Sequence, residues 1–462
     1  MPCIYECFYS VVKEVKLMSK LETKTMAIMG LMLIIGLAIG YPIGRFTAPT
    51  QIVEKPVEVE VPVYPLKGEI LIGLIGASTA GMEWEEPTVQ IAIEDVNAYV
   101  KSLGLPIEFK AIIECAEGSA VKALEKLQSL HSQGVHFIVG MRWSSHCKAC
   151  LEYANEHKII MVSDGSTSPL LSISGDYLFR LVCDDTFQGK AIARMLVDYG
   201  IKAVAVLQRA DTWGDGLYEA FKQRFEELGG VIVEHIRYDP EKTEFSAEVK
   251  AINDAIEQAI ATYGADKVAV EYIGFDEAVI IQTQAADYPT LMSVPWFGSD
   301  GHVRSQRLLE EAGDLAVKTR HFCTYMGITV SDVYREFEAK FIPRVGYVPG
   351  TYACLLYDSI WIIAKSIIEA ATTDPEVVKE VLPEVAKRHF GVSGWCALNE
   401  AGDRAGGNYN IWAVMSVQEI EQYGLERAGI GEEYDWAIVG VYNYLTDSVE
   451  WFIPLPLPPA GG

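Results

Sequence analysis

Short apolar runs alternate with helix-like segments through most of this 462-residue chain, and that alternation restricts the fold more than any other feature. The stretch from Val135 to Leu170 is typical: an apolar run ends at Gly140, a helical segment follows, and a second apolar run ends at Ser163. This rhythm predicts a parallel, doubly wound sheet with right-handed crossovers. Because such sheets bind ligands outside the carboxyl ends of their strands, the polar loops after these runs are candidate binding loops.

The alternation occurs twice with similar spacing. It runs from about Glu69 to Asp185 and then restarts, which predicts one lobe over 68–185 and a second over 186–324. The predicted fold class is therefore α/β, with two doubly wound parallel-sheet lobes and a ligand cleft between them.

The N-terminal part differs from the lobes. Residues 26–44 carry no charge and are about as long as a bilayer-spanning helix, and lysines within 1–25 place the N-terminus in the cytoplasm. We expect an uncleaved single-pass anchor in the cell membrane with the globular part extracellular; a cleaved signal peptide is the alternative. The true start stays open between Met1 and Met18. Residues 45–67, rich in proline, glutamate and valine, predict an extended stalk.

Charge and missing motifs exclude several functions. The formal net charge is -25, with 63 acidic residues, which argues against a nucleic-acid partner. The sequence contains neither G-x-x-x-x-G-K-[ST] nor G-x-G-x-x-G, so a nucleotide phosphate site is unsupported. It also lacks the G-x-S-x-G turn of α/β serine hydrolases. We expect no cofactor and no enzymatic activity.

The loops themselves suggest a small zwitterionic ligand. Hydroxyl groups follow two first-lobe runs, at Ser144 and at Ser166 to Ser168, whereas second-lobe loops supply Trp213, Phe275 and Asp300. Hydroxyls and backbone amides would bind a carboxylate and the aspartate an ammonium group, between aromatic walls. The alternative is that the hydroxyls only cap helices and the aspartate is a turn residue.

Ten segments in order resemble the type I periplasmic binding proteins, specifically the branch that binds branched-chain amino acids and amides for ABC importers. They extend from about Glu69 to Val417 and include VGMRWSS, VSDGSTSPLL, RADTWGDGL and PWFGSDG. The resemblance implies a three-crossing hinge, near Asp185, Thr324 and Gly391. It therefore implies a return to the first lobe over 325–390 and to the second over 391–450. The end of the chain, 451–462, is proline-rich and lies outside the resemblance, and we expect it to form a tail.

The resemblance also assigns roles to individual residues. Ser144, Thr167 and the backbone at Gly165 match the binders of the ligand carboxylate, and Asp300 stands where the family often has a glutamate for the amino group. Phe275 stands where a tyrosine is common. The full predicted ligand-binding set is Ser144, Gly165, Ser166, Thr167, Trp84, Trp213, Phe275, Asp300 and Tyr352.

Nine cysteines raise the question of disulfides. In the resembling family a bond often involves the position of Cys115, and here Cys147 could be its partner. The alternatives are a bond between Cys147 and Cys150, or none. A further bond, between Cys183 and Cys323, could join two hinge crossings, but two buried free thiols are an equally open interpretation.

A rival hypothesis makes His146, Cys147, Cys150 and His157 a metal or redox cluster. All four belong to one predicted helix, and a single helix cannot easily surround a tetrahedral ion, so we expect no metal there.

The sequence therefore predicts a membrane-anchored extracellular solute-binding protein of an ABC importer. It would bind an amino acid or a related small polar solute of the branched-chain amino acid or amide class by closure of two lobes, and the closed form would engage the ABC permease subunits. The alternative is the ligand-binding ectodomain of a sensor or signalling receptor.

Overall fold

The computed structural model describes residues 64–455. The predicted cytoplasmic segment 1–25, the membrane anchor 26–44 and nearly all of the stalk fall outside this range, as does the tail beyond 455. Within the described part of the chain, no helix is both long and apolar enough to cross a membrane.

From residue 68 to residue 326, strands alternate with helices, as the alternation of apolar runs and helix-like segments in the sequence predicts. The elements up to the first return are β1 (Gly68–Gly76), α1 (Met82–Ser102), β2 (Ile107–Cys115), α2 (Ala120–Ser132), β3 (Phe137–Gly140), α3 (Ser144–His157), β4 (Ile160–Ser163), β5 (Leu178–Arg180), α4 (Asp185–Tyr199), β6 (Ala203–Arg209), α5 (Thr212–Glu227), β7 (Val231–Tyr238), α6 (Ser246–Tyr263), β8 (Val268–Ile273), α7 (Glu277–Ala285), β9 (Trp296–Gly298), α8 (Gln306–Lys318) and β10 (Phe322–Met326). Short 3₁₀ turns lie at Pro169–Leu171, Ala265–Lys267 and Leu291–Ser293.

The rest of the chain completes both lobes. Its elements are α9 (Asp332–Val345), α10 (Thr351–Ala370), α11 (Pro375–Arg388), β11 (Phe390–Gly391), β12 (Gly394–Trp395), β13 (Tyr409–Ser416), α12 (Val417–Tyr423), β14 (Tyr434–Asn443) and β15 (Ser448–Trp451).

The first lobe is built on a five-stranded, fully parallel sheet in the order β2-β1-β3-β4-β5. Strands β1, β3 and β4 are buried apolar runs, as expected when helices cover both faces of a parallel sheet. Helices α1, α9 and α10 pack on one face, and α2 and α3 cover the other. The α/β class and the parallel sheet are thus confirmed.

The second sheet has eight strands in the order β15-β14-β13-β10-β9-β8-β6-β7. Strands β6 to β10 are parallel, but β13, β14 and β15 add to the edge at β10 in antiparallel fashion. The prediction of a purely parallel second lobe is therefore wrong at this edge. The physical reason is that β14 and β15 are joined by a tight turn, which only antiparallel neighbours permit.

The chain passes between the lobes at 181–184, at 327–331 and at 396–408. The predicted second crossing near Thr324 is early, because Thr324 lies inside β10. The third, near Gly391, is also early. The carboxylate of Asp358 on α10 accepts backbone N–H groups from Val392 (3.0 Å) and Ser393 (2.9 Å), which fixes the β11–β12 hairpin to the first lobe. The predicted tail boundary at 451 likewise cuts through β15.

Candidate functional site

The carboxyl ends of the strands in both lobes face one cleft, which encloses a cavity of about 770 Å³. Its walls are the loops after β1, β3 and β4 on one side and those after β6, β8 and β9 on the other, with the start of α10 at the base. A cavity of this size accommodates a small molecule.

A sharp turn after β3 directs the chain into this cleft. Gly140 adopts φ +89°, and a Cβ there would lie 2.7 Å from the Ile75 carbonyl oxygen, so glycine is required. Two residues later Arg142 lines the cleft, and α3 begins at Ser144. The Ser144 Oγ accepts the backbone N–H of Ser168 at 3.2 Å, which leaves its own proton to donate. The positive end of a fourteen-residue helix therefore faces the cavity, where an anionic group is stabilised.

A fully buried arginine holds the loop after β4 in place. Arg180 donates to the carbonyl oxygens of Ser166 (3.0 Å) and Ser168 (2.8 Å) and forms an ion pair with Asp403 in the third crossing. Its position links the binding loop directly to the hinge.

Two of the nine predicted ligand-binding residues do not line the cavity. The Ser166 hydroxyl donates to Ser144 Oγ at 3.1 Å, and the Thr167 hydroxyl donates to the Asp185 carboxylate at 2.9 Å. The backbone N–H of Gly165, which does line the cavity, donates to Ser163 Oγ at 3.3 Å. The loop thus supports Ser144 and the hinge more than it faces a ligand. The other predicted residues that line the cavity are Trp84, Ser144, Trp213, Phe275, Asp300 and Tyr352.

Asp300 lies at the base of the cleft beside a second acid. One of its carboxylate oxygens accepts the Tyr352 hydroxyl, and the other, Oδ1, is buried with no hydrogen-bond partner among residues 64–455. Asp185 also has one buried oxygen without a partner in the described chain. Burial raises the pKa of both carboxyl groups, and the charge of Asp300 raises that of Asp185 further. Two buried carboxyl groups, each with one oxygen that lacks a partner, make the base of the cleft more favourable for a cation than for an anion.

The second-lobe wall is aromatic. Trp213 and Phe275 stack with ring centroids 4.8 Å apart, and Trp143 of the first lobe meets Phe275 at 5.1 Å across the cleft. Arg209 lies 4.2 Å from the centroid of the Phe275 ring and pairs with Glu277. This wall offers a flat apolar surface to a ligand. The positive charge of the Arg209 guanidinium is already neutralised by Glu277.

Arg142 is a functional candidate that the sequence reasoning missed. Its guanidinium lies 4.7 Å from the centroid of Trp84 and 5.6 Å from that of Tyr352, and it pairs with Glu85 at 3.3 Å. It occurs within the VGMRWSS segment, at the end of a predicted strand, so a cation at a strand end is the sequence signal that points to it.

Two buried carboxyl groups lie behind this arginine. The pKa of the Glu85 carboxyl is raised by burial, and that of Asp164 is raised to about 7, again chiefly by burial, although Arg142 opposes both shifts. Neither carboxyl oxygen of Asp164 nor the second carboxyl oxygen of Glu85 has a hydrogen-bond partner in the part of the chain described. The first-lobe wall is therefore polar beneath its aromatic surface.

The predicted disulfides are absent from residues 64–455, where all seven cysteines carry free thiols. Cys147 donates to the Met141 carbonyl at 3.0 Å and does not reach Cys115. Cys183 packs near Gly407 in the third crossing, whereas Cys323 lies 3.3 Å from His302. Of the two interpretations of Cys183 and Cys323, the structure has the buried free thiols, because Cys323 belongs to β10 and packs in the second-lobe core rather than at the crossings.

The rival cluster on α3 is also not assembled. His146 stacks with Trp143 at 5.1 Å, and His157 stacks with Tyr153 at 4.1 Å, so the side chains serve separate contacts.

Comparison with known proteins matches this geometry. A profile of the receptor family ligand binding region matches residues 85–416. An uncharacterised protein of Methanocaldococcus jannaschii is 31% identical over 404 residues, covering 84% of this chain and 91% of its own. A leucine-, isoleucine-, valine-, threonine- and alanine-binding protein of Pseudomonas aeruginosa is 23% identical over 335 residues, covering 70% of this chain and 82% of its own.

Among solved structures, a leucine-binding protein of Thermotoga maritima superposes with a TM-score of 0.64. It is 22% identical and covers 75% of this chain and 95% of its own. At that identity the likeness establishes the fold. The family, the Pseudomonas aeruginosa relative and the Thermotoga maritima structure are described as ligand-binding proteins rather than enzymes.

Proposed function

This chain belongs to the receptor family of ligand-binding regions, and on that premise we propose that it captures an amino acid or a related small polar solute for an ABC importer. The branched-chain amino acid and amide class is the first to consider, since relatives from Pseudomonas aeruginosa and Thermotoga maritima are described as binding leucine or several aliphatic amino acids.

One observation supports this proposal above the others. Asp300 lines the cavity while one of its buried carboxylate oxygens lacks a hydrogen-bond partner within residues 64–455. A buried carboxylate oxygen left in that state is costly, and a ligand ammonium group would remove the cost through a charge-assisted hydrogen bond. Asp185 beside it increases the preference for a cation.

The opposite end of the ligand would lie at the start of α3. The first turn of this helix and the Ser144 hydroxyl offer donors to a carboxylate, and Arg142 adds a positive charge nearby. An α-amino acid would therefore lie between Ser144 and Asp300, both of which line the cavity. Its side chain would extend toward the walls of Trp84, Trp213 and Phe275.

Binding would proceed by lobe closure. Contacts already join the lobes on both sides of the cleft: the Tyr352 hydroxyl donates to Asp300, and the Ser168 hydroxyl donates to the Thr212 carbonyl at 2.8 Å. These contacts require the lobes to be close together, so a ligand that adds further cross-cleft bonds favours the closed form. The closed form is the species that permease subunits would recognise.

Localisation belongs to the same proposal. Residues 26–44 would anchor the chain in the cell membrane, with the stalk holding the lobes on the extracellular side. Such an arrangement keeps a soluble receptor near a membrane permease.

Isothermal calorimetry on residues 64–462 tests the solute proposal. The fragment starts at Tyr64 because its hydroxyl donates to the Ile368 carbonyl and docks the segment on the first lobe. We expect saturable one-to-one binding of at least one free amino acid in a panel that also contains amides, urea, dicarboxylates and short peptides. If every α-amino acid fails to bind while an uncharged or purely anionic solute binds, the proposed roles of Asp300 and Ser144 are wrong.

A further inference from the structure

Two imidazoles and one thiol converge in the core of the second lobe, away from the cavity walls. His302 Nε2 lies 2.6 Å from His321 Nε2 and 3.3 Å from the Cys323 sulfur. The three candidate donor atoms all lie within 4.8 Å of one another. None of the three side chains is more than 2% exposed.

We propose that His302, His321 and Cys323 bind one thiophilic metal ion, of the zinc(II) or copper(I) class. A thiolate with imidazoles is the donor set that these ions prefer over magnesium, calcium or manganese. The ligands come from two elements: His302 from the loop after β9, and His321 with Cys323 from the start of β10. Donors on separate elements can surround an ion, whereas the four side chains on the single helix α3 cannot.

The tautomer of His302 already suits a metal ligand. Its Nδ1 lies 3.2 Å from the Gly274 carbonyl oxygen, which can only accept, so Nδ1 carries the proton and Nε2 presents a lone pair. Metal-bound histidines usually donate their other ring N–H to such an acceptor, which fixes the ring and strengthens the ligand.

Gln282 provides the equivalent partner for His321. Its side-chain amide lies 2.8 Å from His321 Nδ1, and its Oε1 has no hydrogen-bond partner among the described residues. A half-turn of the Gln282 side-chain amide would exchange the positions of its oxygen and nitrogen. Oε1 could then accept a hydrogen bond from the Nδ1–H group of His321. His321 would then also present its Nε2 lone pair to the ion.

Binding requires a small movement. Two nitrogens each ~2.0 Å from one ion, at a tetrahedral or trigonal angle, lie roughly 3.3 Å apart, so His302 and His321 must separate by under ~1 Å. His302 belongs to the loop 299–305 between β9 and α8, which can move more easily than a strand. Gly301 in the same loop lines the cavity, so the cleft gives a route of entry.

A second cluster of similar composition serves as a comparison. Asp358, His389 and Cys396 also lie close together, but the Asp358 carboxylate already accepts bonds from the Val392 and Ser393 backbones and from the Ser393 hydroxyl at 2.6 Å. Its lone pairs are engaged in fixing the β11–β12 hairpin. Residues 64–455 should therefore hold one ion rather than two.

The test uses the full chain in detergent, stripped with a chelator and then exposed separately to zinc sulfate and to copper(I), both when folded and during refolding. Metal per chain is measured by mass spectrometry of the eluted protein, and cobalt(II) serves as an optical probe for a thiolate ligand. We expect about one ion per chain, a thiolate-to-cobalt absorption band, and retention of both in the matched control Cys396→Ser. Cys323→Ser should lose the band and weaken metal binding by at least about 100-fold, more than a change outside the ligand set costs.

Three results would overturn the proposal: a folded wild-type chain that takes up none of the three metals, a cobalt complex without the thiolate band, or a Cys323→Ser variant that binds metal as the wild type does. If Cys323→Ser does not fold, His321→Asn tests the same donor set, and unchanged binding there is equally decisive against it. Solute binding is independent of every one of these outcomes.

Discussion

The substitution Asp300→Asn isolates the charge that the proposed ammonium site depends on. Asparagine has nearly the same shape and can still accept the Tyr352 hydroxyl, so the base of the cleft keeps its packing. What is lost is a hydrogen bond between two charged groups, worth about 1.5–3 kcal/mol.

The expected loss lies at the lower end of that range. Asp185 is fully buried behind the cavity, and its pKa is raised partly by the charge of Asp300, so neutralising Asp300 lets Asp185 ionise more readily. The negative charge of Asp185 would then replace part of the charge lost at Asp300. We expect a loss near 1.5 kcal/mol, which is about a tenfold rise in Kd for an amino acid.

Calorimetry at neutral pH measures this change, with Asp276→Asn as the control. Asp276 also lines the cleft, but its carboxylate already accepts the Ser305 hydroxyl at 2.8 Å, so its removal should leave Kd within about twofold. Equal affinities for wild type and Asp300→Asn, or equal losses for the two variants, would refute the reasoning. In the wild type, affinity should fall as pH drops through the raised pKa values, because the acids become protonated.

Three further predictions follow from the same structure. Asp164→Asn should raise the free energy of unfolding by up to about 4 kcal/mol above pH 7, because burial raises the Asp164 pKa to about 7 and ionisation weakens the native state as pH rises from about 4 to 7. Urea unfolding should show an advantage of the variant at pH 8 that is at least about twice its advantage at pH 5. Gly216→Ala would put a methyl group 2.5 Å from Ser168 Oγ across the lobe interface, so it should disfavour closure and weaken solute binding by about 1–3 kcal/mol. X-ray scattering of the liganded variant should give a larger radius of gyration than that of the liganded wild type, and an unchanged Kd would contradict this prediction. Membrane fractions should retain the full-length chain through residues 26–44, and a mature N-terminus beyond 45 would instead indicate a cleaved signal peptide.

The lobes could be predicted because their signal is local. Runs such as Phe137–Gly140 are apolar, short and bounded by turn residues, so each strand is identifiable without knowledge of its neighbours. The family membership that followed from the ordered segments is confirmed.

The pairing of strands at the β13–β15 edge of the second sheet could not be predicted from local sequence in the same way. Whether β13 joins β10 parallel or antiparallel depends on the path of the crossing at 396–408, which no local period encodes. The same holds for the position of the third crossing, since the contact of Asp358 with Val392 joins residues 34 positions apart.

Side-chain direction in loops limited the prediction of the site. Thr167 has the right residue type at the right strand end, but its hydroxyl turns to Asp185, eighteen positions along the chain. The sequence marks Asp185 only as a hinge position, because the electrostatic influence of Asp300 on it comes from tertiary structure. Residue type at a strand end therefore predicts which loops form the cleft better than which atoms face it.

The interleaved order of the two lobes determines when each can fold during synthesis. Strand β10 is an interior strand of the second sheet only because β13 pairs along it, and β13 begins at Tyr409. Until that strand emerges, the nascent chain exposes an unpaired, apolar strand edge at Phe322–Met326, where pairing with another chain can begin. The first lobe likewise lacks α9 and α10 until residue 370 has been made. The second lobe can therefore finish only after the helices of the first, so chaperone binding and yield should depend on the residues from Tyr409 onward far more than their distance from the cleft suggests.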